Sequence, residues 1–189
     1  MSEAMIWLLL RGVWETLAMT FVSGFFGFVL GLPVGVLLYV TRPGQIAANA
    51  KLYRTLSALV NIFRSIPFII LLVWMIPFTR VIVGTSIGLQ AAIVPLTVGA
   101  TPMQIVRKVL LPEALPGLVN AATITLITLV GYSAMGGAVG AGGLGQIGYQ
   151  YGYIGYNATV MNTVLVLLVI LVYLIQFSGD RIVRAVTHK

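Results

Sequence analysis

The sequence predicts an all-α, polytopic membrane protein with about five transmembrane helices. Its residues are 59% hydrophobic and only 8% charged, with a mean hydropathy of +1.05. A soluble domain carries about 25% charge, so this chain cannot build a water-facing surface and most of its solvent is lipid. Charge is also segregated: none occurs between Arg80 and Arg107, or between Glu113 and Asp180. Lys and Arg, finally, cluster in alternate connections, as the positive-inside rule requires of a multi-pass chain.

The first residues, MSEAMIWLLLRGVWE, lack the basic start and small-residue cleavage site of a signal peptide. Leu17–Val40 is the first span. Within it Gly27, Gly31 and Gly35 recur every four residues, a groove that admits another backbone from the same subunit or from a second one. Pro33 removes a backbone hydrogen bond and permits a bend. Leu56–Phe78 is the second span, closed by Thr79 and Arg80. It carries Arg64, which either snorkels to headgroups or joins Pro67 in shaping a pathway wall; Pro67 and Pro77 permit further bends. Val81–Val98 is the third span, Leu118–Met135 the fourth and Ala158–Phe177 the fifth.

Orientation follows from the basic residues. Arg42, Lys51, Arg54, Arg107, Lys108, Arg181, Arg184 and Lys189 fall on one side of a five-span chain, against Arg11 and Arg80 on the other. The N-terminus is expected outside and the C-terminus in the cytoplasm.

Between the last two spans runs GYSAMGGAVGAGGLGQIGYQYGYIGY. Each glycine costs a helix about 1 kcal/mol relative to alanine, so a flexible external loop is one reading. Irregular backbone at membrane depth is otherwise tolerated only where it is buried in protein or lines a cavity. The second reading therefore makes Tyr132, Ser133, Met135 and Gly136 part of a solute pathway or gate. Met135 has a thioether flexible enough to plug a narrow place, or simply to pack a core. Tyr149, Tyr151, Tyr153 and Tyr156 suit an outer interfacial belt.

Several chemistries are excluded. His188 is the one histidine and the four acids are scattered, so there is no metal or hydrolytic constellation. No lysine follows a glycine, which rules out a G-x-x-x-x-G-K-[ST] phosphate loop; if transport is driven by ATP, another subunit binds it. A buried carboxylate for proton coupling is missing. The net charge of +7 is dispersed between apolar runs, which fits anionic lipid headgroups rather than nucleic acid. A channel stays open as an alternative, though no filter-like sequence or acidic ring is visible.

One basic segment stands between apolar blocks: TPMQIVRKVLLPEALPG from Thr101. Thr101 suits an N-cap and Pro102 the first helical position. At about 100° per residue, Met103, Ile105, Val106, Val109 and Leu110 share one face, with Gln104, Arg107 and Lys108 opposite. Leu111 falls on the polar side and Pro112 ends the ladder. Such a helix either lies on the membrane surface or docks in a partner's groove.

Gly99 and, after nine intervening residues, Val109-Leu110-Leu111-Pro112 resemble the second half of the E-A-A-x3-G-x9-I-x-L-P motif of binding-protein-dependent ABC importer permeases. FRSIPF, LPEALPG, the glycine/tyrosine run and GFFGFVLGLPVGVLLYVTRPGQI extend the resemblance over almost the whole chain, towards the methionine importer subgroup. The resemblance implies a single permease domain over residues 1–189 with the type I ABC importer fold. It makes 99–112 the remaining part of a cytoplasmic coupling loop that docks on an ATPase. It further implies a bacterial inner-membrane location, two copies of this chain, an ATPase dimer that binds ATP and Mg, an external substrate-binding protein, and import of L- and D-methionine and analogues. The chain itself is expected to hold no cofactor and to catalyse nothing; a channel or scaffold subunit not driven by ATP is the alternative.

The resemblance breaks at one point. The family's E-A-A would occupy positions 93–95, where Ile93, Val94 and Pro95 stand, and the loop is shorter by about thirty residues than in the family. The rest of the motif is intact, which favours a segment left out of the sequence; a real loss would remove part of the loop expected to dock on the ATPase. An intact mass near 20.3 kDa would establish the loss.

Overall fold

The computed structural model describes residues 2–45, 47–83 and 114–187, and among these every regular element is helical. α1 spans Glu3–Thr41, α2 Ala50–Ser65, α3 Phe68–Trp74 and α4 Ile76–Val83. α5 spans Ala114–Gly136 and passes through a 3-10 turn, Gly137–Val139, to the short α6, Gly143–Ile147. A π-helical stretch, Gly148–Ile154, then leads to α7, Ala158–Thr187.

α1 begins well before the expected first span. Ser2 caps it by accepting from the Met5 amide at 3.4 Å, and Glu3 lies in the first turn, where the helix dipole favours an acid. The helix runs uninterrupted through Pro33. It stops at Arg42, whose ψ of 143° is the extended geometry a residue before proline prefers. Gly27, Gly31 and Gly35 are buried within the single chain, which is the within-subunit form of the groove. Nearby, a Cβ on Gly24 would come within 2.7 Å of Leu126 in α5.

The second span is broken rather than continuous. α2 and α3 meet at 99°. Pro67 has no amide to give, and Ile66 before it is extended with ψ 125°. Among the described residues, three single helices, α1, α5 and α7, are long and apolar enough to cross a bilayer, and the bent pair makes a fourth. Of the expected third span, Val81–Val83 complete α4 and the remainder lies outside the described residues.

Among the described residues, two apolar clusters hold these helices together. Met19 of α1, Phe68 and Leu72 of α3, Leu129 of α5 and Ala141 form one. Leu9, Leu144, Ile147, Val160, Val164 and Leu171 form the other, joining α1, α6 and α7. Large apolar side chains such as Trp7, Trp14, Phe25, Leu165 and Tyr173 remain exposed on the outward faces, as lipid-facing helices require. α5 and α7 approach closely at Gly179, where a Cβ would collide with the Thr123 side chain.

The glycines of these helices make opposite predictions. Gly179→Val drives two methyl groups into Thr123 and is expected to cost about 1–3 kcal/mol of stability. Gly131 has open space around it, so Gly131→Ala is expected to be neutral or stabilising by up to about 1 kcal/mol. Thermal unfolding of the detergent-solubilised variants checks both.

Candidate functional site

The break in the second span and the glycine-rich end of α5 face each other. Phe68, the first residue of α3, stacks on Tyr132 of α5 with ring centroids 4.2 Å apart and planes 3° from parallel. One turn further along α3, Leu72 lies 3.6 Å from where a Cβ on Gly136 would stand. Parallel aromatic pairs add about 0.5–1.5 kcal/mol beyond their burial, so this stack is a substantial clasp between the two elements.

The sequence-expected pathway residues divide at this clasp. Tyr132 and Gly136 are in it, and Pro67 creates the bend that brings Phe68 there. Ser133 is buried, but its hydroxyl donates to the Val130 carbonyl at 2.7 Å. Arg64 is exposed on the last turn of α2. Met135 is 51% exposed and belongs to neither apolar cluster of the chain, unlike the core-packing expectation.

Past Gly136 the chain forms an ordered elbow, not a flexible loop. A Cβ on Gly137 would overlap the backbone of Gly145 and Gln146, and one on Gly145 would overlap the backbone of Ala134. The end of α5 and the short α6 therefore touch backbone to backbone, which only glycine permits. The return is made by Gly140, Gly142 and Gly143 with φ of 84°, 92° and 75°. The tyrosines that follow on the π-helical stretch are exposed, as an interfacial belt requires.

α1 supplies hydrogen-bond acceptors that the sequence reading missed. Glu15 Oε2 accepts from the Gly143 amide at 2.7 Å, and Thr16 Oγ1 accepts from the Leu144 amide at 2.9 Å. Glu15 Oε1 also accepts from Arg11 Nε at 2.9 Å. A cavity of about 460 Å³ opens beside these contacts, bounded by Arg11, Glu15, Gly142, Gly143, Gln146 and Gln150 among others. No group of acids or histidines that could hold a metal occurs among the described residues. The one signal in the sequence was an acid, Glu15, followed by an apolar run; a first span begun at Leu17 left it outside.

Interrupted helices at membrane depth are tolerated where they are buried in protein or line a cavity, and transporters use them at their binding sites. The family of binding-protein-dependent transport system inner membrane components matches residues 94–189. Across all of both chains, the sequence is 83% identical to the D-methionine transport system permease protein MetI of Escherichia coli strain K12. It is 47% identical to the probable permease of that name from Vibrio cholerae, over 96% of this chain and 93% of that one. A solved structure of an inward-facing MetNI methionine ABC transporter superposes with a TM-score of 0.92, covering 98% of this chain and 99% of that one.

The chain belongs to this family.

It is thus an inner-membrane permease component, all-α and not itself an enzyme. The Escherichia coli alignment runs over 217 positions and takes in all of this chain's 189 residues. Subtracting 189 from 217 leaves 28 positions of the relative without a counterpart here, close to the shortfall expected in the coupling loop. The residues expected to couple to an ATPase, Gly99, Thr101, Pro102, Met103, Ile105, Val106, Arg107, Val109, Leu110, Leu111 and Pro112, lie outside the described residues.

Because the elbow is a backbone-to-backbone contact, Gly145→Ala should force α5 and α6 apart. The expected result is at least about 2 kcal/mol of destabilisation and a sharply reduced yield of folded protein. Size-exclusion profiles and thermal unfolding in detergent measure it.

Proposed function

We propose that this chain is the membrane-spanning subunit of an ATP-driven importer that carries L- and D-methionine and close analogues into the cytoplasm. The likeness to the MetNI permease, 83% identical and with a TM-score of 0.92 over almost the whole chain, carries this reading. Two copies form the pathway, a pair of separate ATPase subunits binds ATP and Mg, and an external protein delivers substrate. The N-terminus faces outward and the C-terminus the cytoplasm, in keeping with the distribution of Lys and Arg.

In this reading the pathway wall is built from the bend at Pro67, with Arg64 before it, and from Tyr132, Ser133, Met135 and Gly136. Irregular backbone is placed where it can border a route, while Met135 projects from the wall as a gate. Import requires the wall to exchange between two arrangements. ATP binding biases that exchange only through contacts that differ between the two states. The apolar face of the 101–112 segment, formed by Met103, Ile105, Val106, Val109 and Leu110, is the contact through which the ATPase acts, within a permease domain that takes in residues 1–189.

A channel or scaffold subunit not driven by ATP is disfavoured by the family relationship.

The test is methionine uptake into proteoliposomes holding the permease with its ATPase. Charges at the docking face, Val106→Asp with Val109→Asp, are expected to lower uptake by about tenfold, the size of a typical coupling free energy. Uptake unchanged by these charges, or retained when the ATPase is inactivated, refutes the assignment.

A further inference from the structure

We propose that Glu15 and Thr16 of α1 are positioning residues for the pathway wall. They hold the glycine elbow by two adjacent backbone amides and so set where Tyr132–Gly136 stand. This inference rests on the reading of the α5 end as pathway wall.

The chain of contact is short. Glu15 and Thr16 grip Gly143 and Leu144 at the start of α6. Gly145, the next residue, lies against the backbone of Ala134. Ala134 sits between Ser133 and Met135. No flexible side chain intervenes between α6 and α5, so a displacement of α6 passes directly to the wall. The grip is also close-fitting: a Cβ on Gly142 would come within 2.8 Å of Glu15 Oε2, and one on Gly143 within 2.8 Å of Thr16 Oγ1. These contacts join residues 128 apart in sequence, so they act as a tie between the first span and the elbow rather than as local turn geometry.

The two bonds differ in what can replace them. The Glu15 carboxylate borders the open cavity, and its side chain keeps 19% of its accessible surface. Water there can serve the Gly143 amide when the carboxylate is gone. Thr16 is 1% exposed and Leu144 is fully buried. Loss of the Thr16 hydroxyl leaves the Leu144 amide without an acceptor, which is the more costly outcome. Bonds to an ionised acceptor are the stronger kind, but burial reverses the ranking here.

The experiment uses the full permease–ATPase assembly in proteoliposomes and reads methionine transported per ATP hydrolysed. Thr16→Val is expected to lower that ratio by about tenfold, with ATP hydrolysis per assembled complex retained. Glu15→Ala should show a smaller fall, and Thr16→Ser, which keeps the hydroxyl, should restore the ratio. An unchanged ratio in Thr16→Val overturns the proposal. So does a fall in uptake, hydrolysis and yield together, because that marks a purely structural tie. Tyr132→Leu is measured in parallel. If it alters the ratio and Thr16→Val does not, the positioning role fails and the pathway reading stands. If Tyr132→Leu leaves the ratio untouched, the pathway reading fails and this inference with it.

Discussion

Inside a bilayer a backbone amide has no water to turn to, so each must find its acceptor within the protein. The long helices satisfy this demand by their own geometry. The stretch from Gly137 to Asn157, broken into short 3-10, α and π pieces, does so only in part. There the structure meets the demand piece by piece: the Ala141 amide donates to the Gly136 carbonyl at 3.1 Å, and the Gly143 and Leu144 amides donate to α1. The π-helical stretch closes with the Gly155 amide on Gln150 and the Asn157 amide on Gly152, at 2.9 and 3.0 Å. Glycine is what makes these solutions fit together, since α5 and α6 share a surface with no side chain between them.

The same constraint explains why the second span breaks where it does. Pro67 cannot donate, and the extended Ile66 frees backbone groups at the corner between α2 and α3. Ser65, just before the corner, donates its hydroxyl to the Asn61 carbonyl at 2.7 Å, and Pro67's own carbonyl accepts the amides of Ile70 and Leu71. The bend then directs Phe68 onto Tyr132. The corner of the second span is thereby joined by an aromatic stack to the last turns of α5.

Much of this was legible in the residues. Hydropathy and charge segregation indicate a helical membrane protein, and the fifth span begins at Ala158 as expected because Asn157 caps it by accepting from the Val160 amide at 3.2 Å. The bend at Pro67 follows from the chemistry of proline. What was not legible depends on contacts between distant parts. Nothing in the glycine run says that Gly145 meets Ala134, since that is fixed only when α5 and α6 fold back on one another. Nor does Glu15 advertise its role: beside Arg11 it reads as an i, i+4 surface pair, and its second oxygen finds Gly143 only in the folded chain. Met135 resisted prediction for the same reason, because the side of α5 it occupies is decided by where α1 and α3 dock.

α1 has a consequence for the surrounding lipid. Its 39 residues make a rod of about 58 Å, nearly twice the hydrocarbon thickness of a bilayer. Its apolar part from Leu17 to Val40 is about 36 Å long and crosses the hydrocarbon with a modest lean, while the turns carrying Glu3, Arg11 and Glu15 lie towards one headgroup zone. The angle at which this rod lies therefore responds to bilayer thickness. Because Glu15 and Thr16 bond α1 to the elbow, the elbow shares whatever tilt this rod takes.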